Sequence, residues 1–162
     1  MATNDIEDLR RRAAACQDAV AALAPAGAGI PGPPDEETGE RWDRLHTLAH
    51  TAEMLTFWTR QARAMLDGAP GYGRGEEGYA ARRVAIDSAS DVGEAELLRQ
   101  LRAGVDGLAG LLAGLTPADL ARSVVYRQWS GEEEVTLGSM LDQMMVGHLE
   151  AHLRQLATLP TS

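Results

Sequence analysis

With 162 residues the chain fits one domain with a real core, expected to span 1–162. Its net charge is −9, and its arginines cluster only at Arg10–Arg12 and Arg82–Arg83, so it lacks the basic footprint of a nucleic-acid binder. No apolar run reaches the ~18 residues of a membrane span, and Asp5, Glu7 and Asp8 precede any apolar stretch, so neither a membrane protein nor a secretory signal is expected and the location is read as cytoplasmic.

Ala, Leu, Glu and Arg dominate and β-branched residues are few, which favours helix. Three Trp, three Tyr and one Phe leave a core that must be mostly aliphatic and methionine. The first predicted helix covers about 4–24, where Ile6, Leu9, Ala13, Cys16, Val20 and Leu23 recur three and four apart as one stripe. Cys16, the only cysteine, lies on that stripe and reads as a buried small hydrophobe. Pro25 ends the helix, and Gly/Pro-rich loop continues to Pro34.

A second helix is expected from near Asp35–Glu40, whose acids suit a helix N-terminus, to about Asp67–Gly68. One apolar stripe holds Leu45, Leu48, Ala52, Leu55, Ala62 and Leu66, and a second holds His46, His50, Met54, Phe57 and Gln61, so burial on two sides is expected. Residues 68–90 carry Gly68, Pro70, Gly71, Gly73, Gly75 and Gly78 and read as a long linker, either a lid or disordered. The third helix is expected over about 91–115, with Leu97, Leu101, Val105, Leu108, Leu112 and Leu115 on one face. Among them lie Gly104, Gly107, Gly110 and Gly114; each costs ~1 kcal/mol against Ala, which close approach of a neighbouring helix would offset.

Thr116-Pro117-Ala118-Asp119 reads as a fresh N-cap with Pro at the first helical position, and Val124 to Trp129 as extended or irregular chain. The fourth helix starts at an N-cap on Thr136 and runs to about Leu159, where Pro160 ends it. Four long helices and one long crossover predict an all-α four-helix bundle with a long loop between helices 2 and 3.

On the fourth helix, Leu141, Met145, His148, His152, Leu156 and Leu159 fall in one apolar arc. Two imidazoles four residues apart on a helix can converge on one ion. The competing reading is a pair of core histidines satisfied by hydrogen bonds, yet that face offers little beyond Gln155. A third ligand must come from another helix, and His50 and His46 are the remaining histidines. His50 lies nearer the middle of its stripe and His46 nearer the helix start. Three histidines leave open coordination positions, the pattern of a catalytic site. A di-iron bundle would need Glu-x-x-His pairs on two helices, and none is found.

Two stretches carry a family resemblance. Trp42-Asp43-Arg44-Leu45-His46-Thr47-Leu48-Ala49-His50 matches a W-x7-H segment with Leu-Ala before the ligand. Thr136 to Leu141, followed by Gly147-His148-Leu149-Glu150-Ala151-His152 and Gln155, matches a last helix with H-x3-H and a following Gln. In these the sequence resembles the DinB/YfiT-like superfamily of four-helix-bundle metal-dependent enzymes. The resemblance implies an up-down-down-up bundle, zinc or nickel on His50, His148 and His152, no ligand role for His46, and a homodimer. It also implies a low-molecular-weight thiol as cofactor, since relatives include transferases and isomerases using mycothiol, bacillithiol or glutathione. The mycothiol-dependent maleylpyruvate isomerase branch differs, with Glu at the position of His148 and a further C-terminal domain.

Two functions stay open on the sequence. In the first, a metal-dependent enzyme acts on a small-molecule substrate, activating a thiol or a water. Glu53, one turn after His50, is then the candidate catalytic proton carrier or a hydrogen-bond acceptor behind the ligands, against the alternative of a solvated carboxylate. Arg82 and Arg83 are candidates to bind an anionic substrate, against a merely exposed charge pair. Tyr72, Tyr79 and Trp129 either line a pocket or cover the bundle end. In the second, a dimeric helical protein without catalysis holds a structural metal or none.

Overall fold

The computed structural model describes residues 5–36 and 38–160. Residue 4, the expected first residue of the first helix, and Glu37, inside the expected start of the second, lie outside the described residues. The element order is α1 (Ile6–Ala21), α2 (Arg44–Leu66), β1 (Gly71–Tyr72), α3 (Gly75–Asp87), α4 (Ala89–Val92), α5 (Glu94–Ala113), α6 (Pro117–Leu120), β2 (Ser123–Gln128), β3 (Gly131–Thr136), α7 (Leu137–Met140), a π-helical segment (Leu141–Val146) and α8 (Gly147–Thr158). Most of the chain is helical, but a three-stranded sheet in the order β1-β2-β3 corrects the all-α expectation. No helix among the described residues is long and apolar enough to cross a membrane.

The long helices follow the apolar pattern. α1 buries Ile6, Leu9, Ala13, Cys16 and Val20 and is capped by Asp5, whose carboxylate accepts from the Glu7 amide at 3.0 Å. α2 packs mainly on α5, and α1 also packs on α5. α2 is buried on both expected sides, Leu48, Ala52, Leu55 and Ala62 on one and His50, Met54 and Phe57 on the other. The core is aliphatic and sulfur-rich: Leu9, Leu48, Met54, Leu55, Leu97, Leu101, Met140 and Leu141 are among its fully buried side chains. Of the glycines in α5 only Gly104 has a close neighbour from another helix: a Cβ there would stand 3.1 Å from the Leu55 Cβ, whereas Gly107 and Gly110 have nothing within 4 Å.

α2 begins at Arg44, later than expected. Asp43 is its cap and accepts the His46 amide at 3.0 Å, while Asp35, Glu36 and Glu40 lie in connecting chain. That connector is pinned by a buried ion pair: Arg44 Nε donates to Glu94 at 2.8 Å, and the same carboxylate accepts the amides of Ala26 and Gly27. Burial alone would raise the Glu94 pKa, but Arg44 and the two amides hold it below its usual value.

Residues 68–90 are not a structureless linker. They form β1, parallel to β2, and then α3. The glycines that suggested a linker permit this, because a Cβ on Gly71 would run into the Val125 carbonyl oxygen and one on Gly73 into that of Arg127. β2 and β3 form a hairpin in which Gln128 pairs with Gly131, so its tip is Trp129-Ser130. The caps expected downstream are present. Thr116 and Asp119 form a reciprocal capping box with Pro117 inside it, and Thr136 accepts the Ser139 amide at 3.1 Å.

Candidate metal centre

His50 projects from the first half of α2; His148 and His152 sit one turn apart on α8. One nitrogen from each of the three rings lies within 4.8 Å of the other two. Ring centroids are 4.7 Å apart for His148 and His152, 4.8 Å for His50 and His152, and 5.6 Å for His50 and His148. Bonds of about 2.0–2.1 Å to a shared ion place imidazole nitrogens roughly 3–3.5 Å from each other, inside the 4.8 Å within which these three lie.

The rings also lack what ordinary core histidines have. His50 Nδ1 and His152 Nε2 are buried with no hydrogen-bond partner among the described residues. Each such atom costs ~1–3 kcal/mol unless something takes its lone pair or proton. The other nitrogen of His152, Nδ1, is 2.9 Å from Gln155 Oε1. An amide oxygen only accepts, so Nδ1 carries the proton and Nε2 presents its lone pair. Desolvation drives all three rings toward the neutral form that a metal requires: the His50 pKa is lowered to about 2 and that of His148 to about 4, and that of His152 is lowered as well. The positive charge of Arg82 acts in the same direction on all three. In spacing, burial and unpartnered nitrogens the three histidines are compatible with a divalent ion.

The backbone ahead of His148 is unusual. The π-helical turn Leu141–Val146 leads directly into Gly147 and His148, and such turns recur at functional sites. Arg12 from α1 ties it to α8, donating to Asp142 Oδ1 within it at 2.8 Å and to both oxygens of Glu150 beyond it at 2.9 and 2.7 Å. Gly147 has little room: a Cβ would stand 3.0 Å from the Asp142 carbonyl oxygen.

The histidines open into a cleft of about 900 Å³. Trp42, which lies 4.8 Å from the His50 ring centroid, lines it, as do Arg74, Arg82, Tyr126, Trp129 and Gln155. The chain between α1 and α2 supplies the opposite wall through Pro33, Pro34 and Glu40. The chain belongs to the DinB superfamily. Its family model matches residues 3–156. No curated protein and no solved structure matched the chain. The DinB match agrees with the three-histidine geometry, which is compatible with a divalent metal.

The remaining expected residues fall variously. His46 lies outside the triad, its Nδ1 2.8 Å from the capping carboxylate of Asp43. Arg82 lines the DinB-fold cleft, stacked over Trp42 at 5.3 Å and 3.4 Å from Glu40. Arg83 is exposed and is not among the cleft-lining residues. Glu53 is not among them either; it forms a two-pronged pair with Arg74, at 2.7 and 2.8 Å. Tyr79 and Trp129 line the cleft, while Tyr72 lines an adjoining cavity of about 370 Å³ and stacks on Tyr126. Sequence reading missed Arg74, whose side chain is 6% exposed and lies 4.3 Å over the Phe57 ring, because it stands between two glycines of the supposed linker. It missed the Arg12 clamp because charges 130 and 138 residues apart carry no local signal.

Proposed function

We propose that this protein is a divalent-metal-dependent enzyme of the DinB superfamily that uses a low-molecular-weight thiol as the nucleophile of a transfer reaction, with zinc or nickel on His50, His148 and His152. One observation carries the reading. Three neutral imidazoles, two of them with an unpartnered buried nitrogen, meet at the side of an open cleft instead of being sealed in the core. Three protein ligands leave a position for an exogenous one. Bound there, the ion supplies a means of keeping a thiol or water as its anion near neutral pH.

The chain's own residues support that chemistry. Gln155 fixes the tautomer of His152, and Arg74 and Arg82 place positive charge beside the histidines, where an anion would form. Cys16 is excluded as nucleophile, since it is buried on α1 and burial pushes its thiol up to about 11. The thiol therefore comes from outside, as mycothiol, bacillithiol or glutathione. Glu53 takes the part of a positioning residue that holds Arg74. The long helices α1, α2, α5 and the α7-to-α8 run are read as the four-helix bundle of the superfamily. Titrating the cobalt-substituted protein with these three thiols tests the proposal. A sulfur-to-metal charge-transfer band is expected, and it should be absent in His152→Ala. No band with any of them, and no turnover in a transferase screen, would overturn the thiol reading.

A further inference from the structure

The chain has six tryptophans and tyrosines, and five of them, Trp42, Trp58, Tyr79, Tyr126 and Trp129, line the histidine cleft. Aromatic side chains are the largest apolar units available to a core. Here leucine and methionine fill the deepest core, and the aromatics gather on one concave wall. Trp129 is the clearest case. It stands at the two-residue tip of the β2–β3 hairpin, where Gly, Asn or Asp is usual. At 77% it is more exposed than any other large apolar side chain among the described residues. Its ring stacks on that of Tyr79, itself exposed, at 5.8 Å and 26°. Neither contributes to the core, so their packing on each other at the cleft mouth has no evident role in stability.

Trp42 stands beside the histidines, and the Arg82 guanidinium lies over it. Among the described residues Arg82 has one polar contact, 3.4 Å from a single nitrogen to Glu40, which leaves other N–H groups for a ligand. Arg74 differs: both of its terminal nitrogens are held by Glu53. We infer that the cleft selects an aromatic carboxylate as substrate, its ring held by the aromatic wall that ends at Tyr79 and Trp129 and its carboxylate by Arg82. The inference names the substrate class of the proposed enzyme and rests on that reading for catalysis, but not for binding.

Calorimetry with three probes separates the contributions: 2-naphthoate, its ring-saturated analogue decahydro-2-naphthoate, and the neutral 2-naphthamide. Metal content is measured in parallel, and chelator-treated protein is titrated as well, because carboxylates also ligate metals directly. In metal-free protein, naphthoate should bind about threefold to tenfold tighter than the saturated acid and about tenfold to a hundredfold tighter than the amide. Trp129→Ala should abolish the first preference and Arg82→Gln the second, with both variants taking up metal as the parent does. Equal affinity for naphthoate and its saturated analogue, no measurable binding of either, or preferences that survive both substitutions would overturn the inference. A protein that takes up no metal yet keeps both preferences would refute the metal-dependent reading and leave this one standing.

Discussion

Replacing His50 with leucine should make the metal-free protein more stable. The side chain is buried and its Nδ1 has no partner. An unsatisfied polar atom in that position costs ~1–3 kcal/mol, and a leucine of similar volume removes it. Acidification adds a second contribution whose sign is fixed. The folded-state pKa of His50 is about 2, below the ~6.5 of an unfolded chain. Between those values the unfolded chain binds a proton that the folded chain does not, so stability present above pH ~6.5 is lost as pH falls. At pH ~5, about 1.5 units below the unfolded pKa, the loss is about 2 kcal/mol. His148 is held down to about 4 and adds a similar loss, but to parent and variant alike. The advantage of His50→Leu should therefore grow from about 1–3 kcal/mol near neutrality to about 3–5 kcal/mol at pH ~5. Urea unfolding of chelator-treated protein, followed by circular dichroism across this range, measures it. With saturating zinc the order should reverse, because metal binds only the parent's complete triad. A metal-free variant less stable than its parent at neutral pH, or an advantage that does not grow with acid, would refute the picture of a desolvated, unpartnered ligand.

Gln155→Leu frees His152 Nδ1 from its acceptor and should weaken zinc binding about tenfold to a hundredfold in competition with a chromophoric chelator; unchanged affinity would show that the hydrogen bond does not orient the ring. Glu53→Gln leaves the buried Arg74 guanidinium without its counter-charge and should cost about 3–5 kcal/mol in denaturant unfolding, whereas a loss below about 1 kcal/mol would mean that Arg74 finds another partner. Arg12→Met leaves Asp142 and Glu150 without the cation between them; since all three are partly exposed, a loss of about 1–3 kcal/mol is expected. It should be accompanied by weaker zinc binding, because the clamp seats the helix that carries two ligands, and stability and zinc affinity both at parental values would contradict that role.

The histidine cluster was legible because its parts are local and periodic. His148 and His152 share a helix face by spacing alone, and the Trp42-to-His50 segment lies in one helix start. The long helices were legible from their leucine stripes, and the caps at Thr116 and Thr136 from their hydroxyls. The sheet was not. β3 contains Glu132, Glu133 and Glu134, a poor strand former repeated three times, and it pairs only because it is an exposed edge held against β2. β1 was hidden by Gly71 and Gly73, whose use is to let two backbones approach, a requirement set by a strand more than 50 residues away. α3 followed it out of sight because Gly75 and Gly78 occupy its first turn and it buries only Gly78 and Ile86. The cleft walls came from these same elements, so Arg74 could not be placed, nor Tyr79 and Trp129 set against each other, before the chain was folded.

Metal stoichiometry across the histidine variants tests the central claim most directly. Protein prepared without chelator or affinity tag and loaded with zinc should carry one ion per chain in the parent and in His46→Ala. It should lose that ion in each of His50→Ala, His148→Ala and His152→Ala. Full occupancy in both His148→Ala and His152→Ala, or loss of the ion in His46→Ala with retention in His50→Ala, would contradict it.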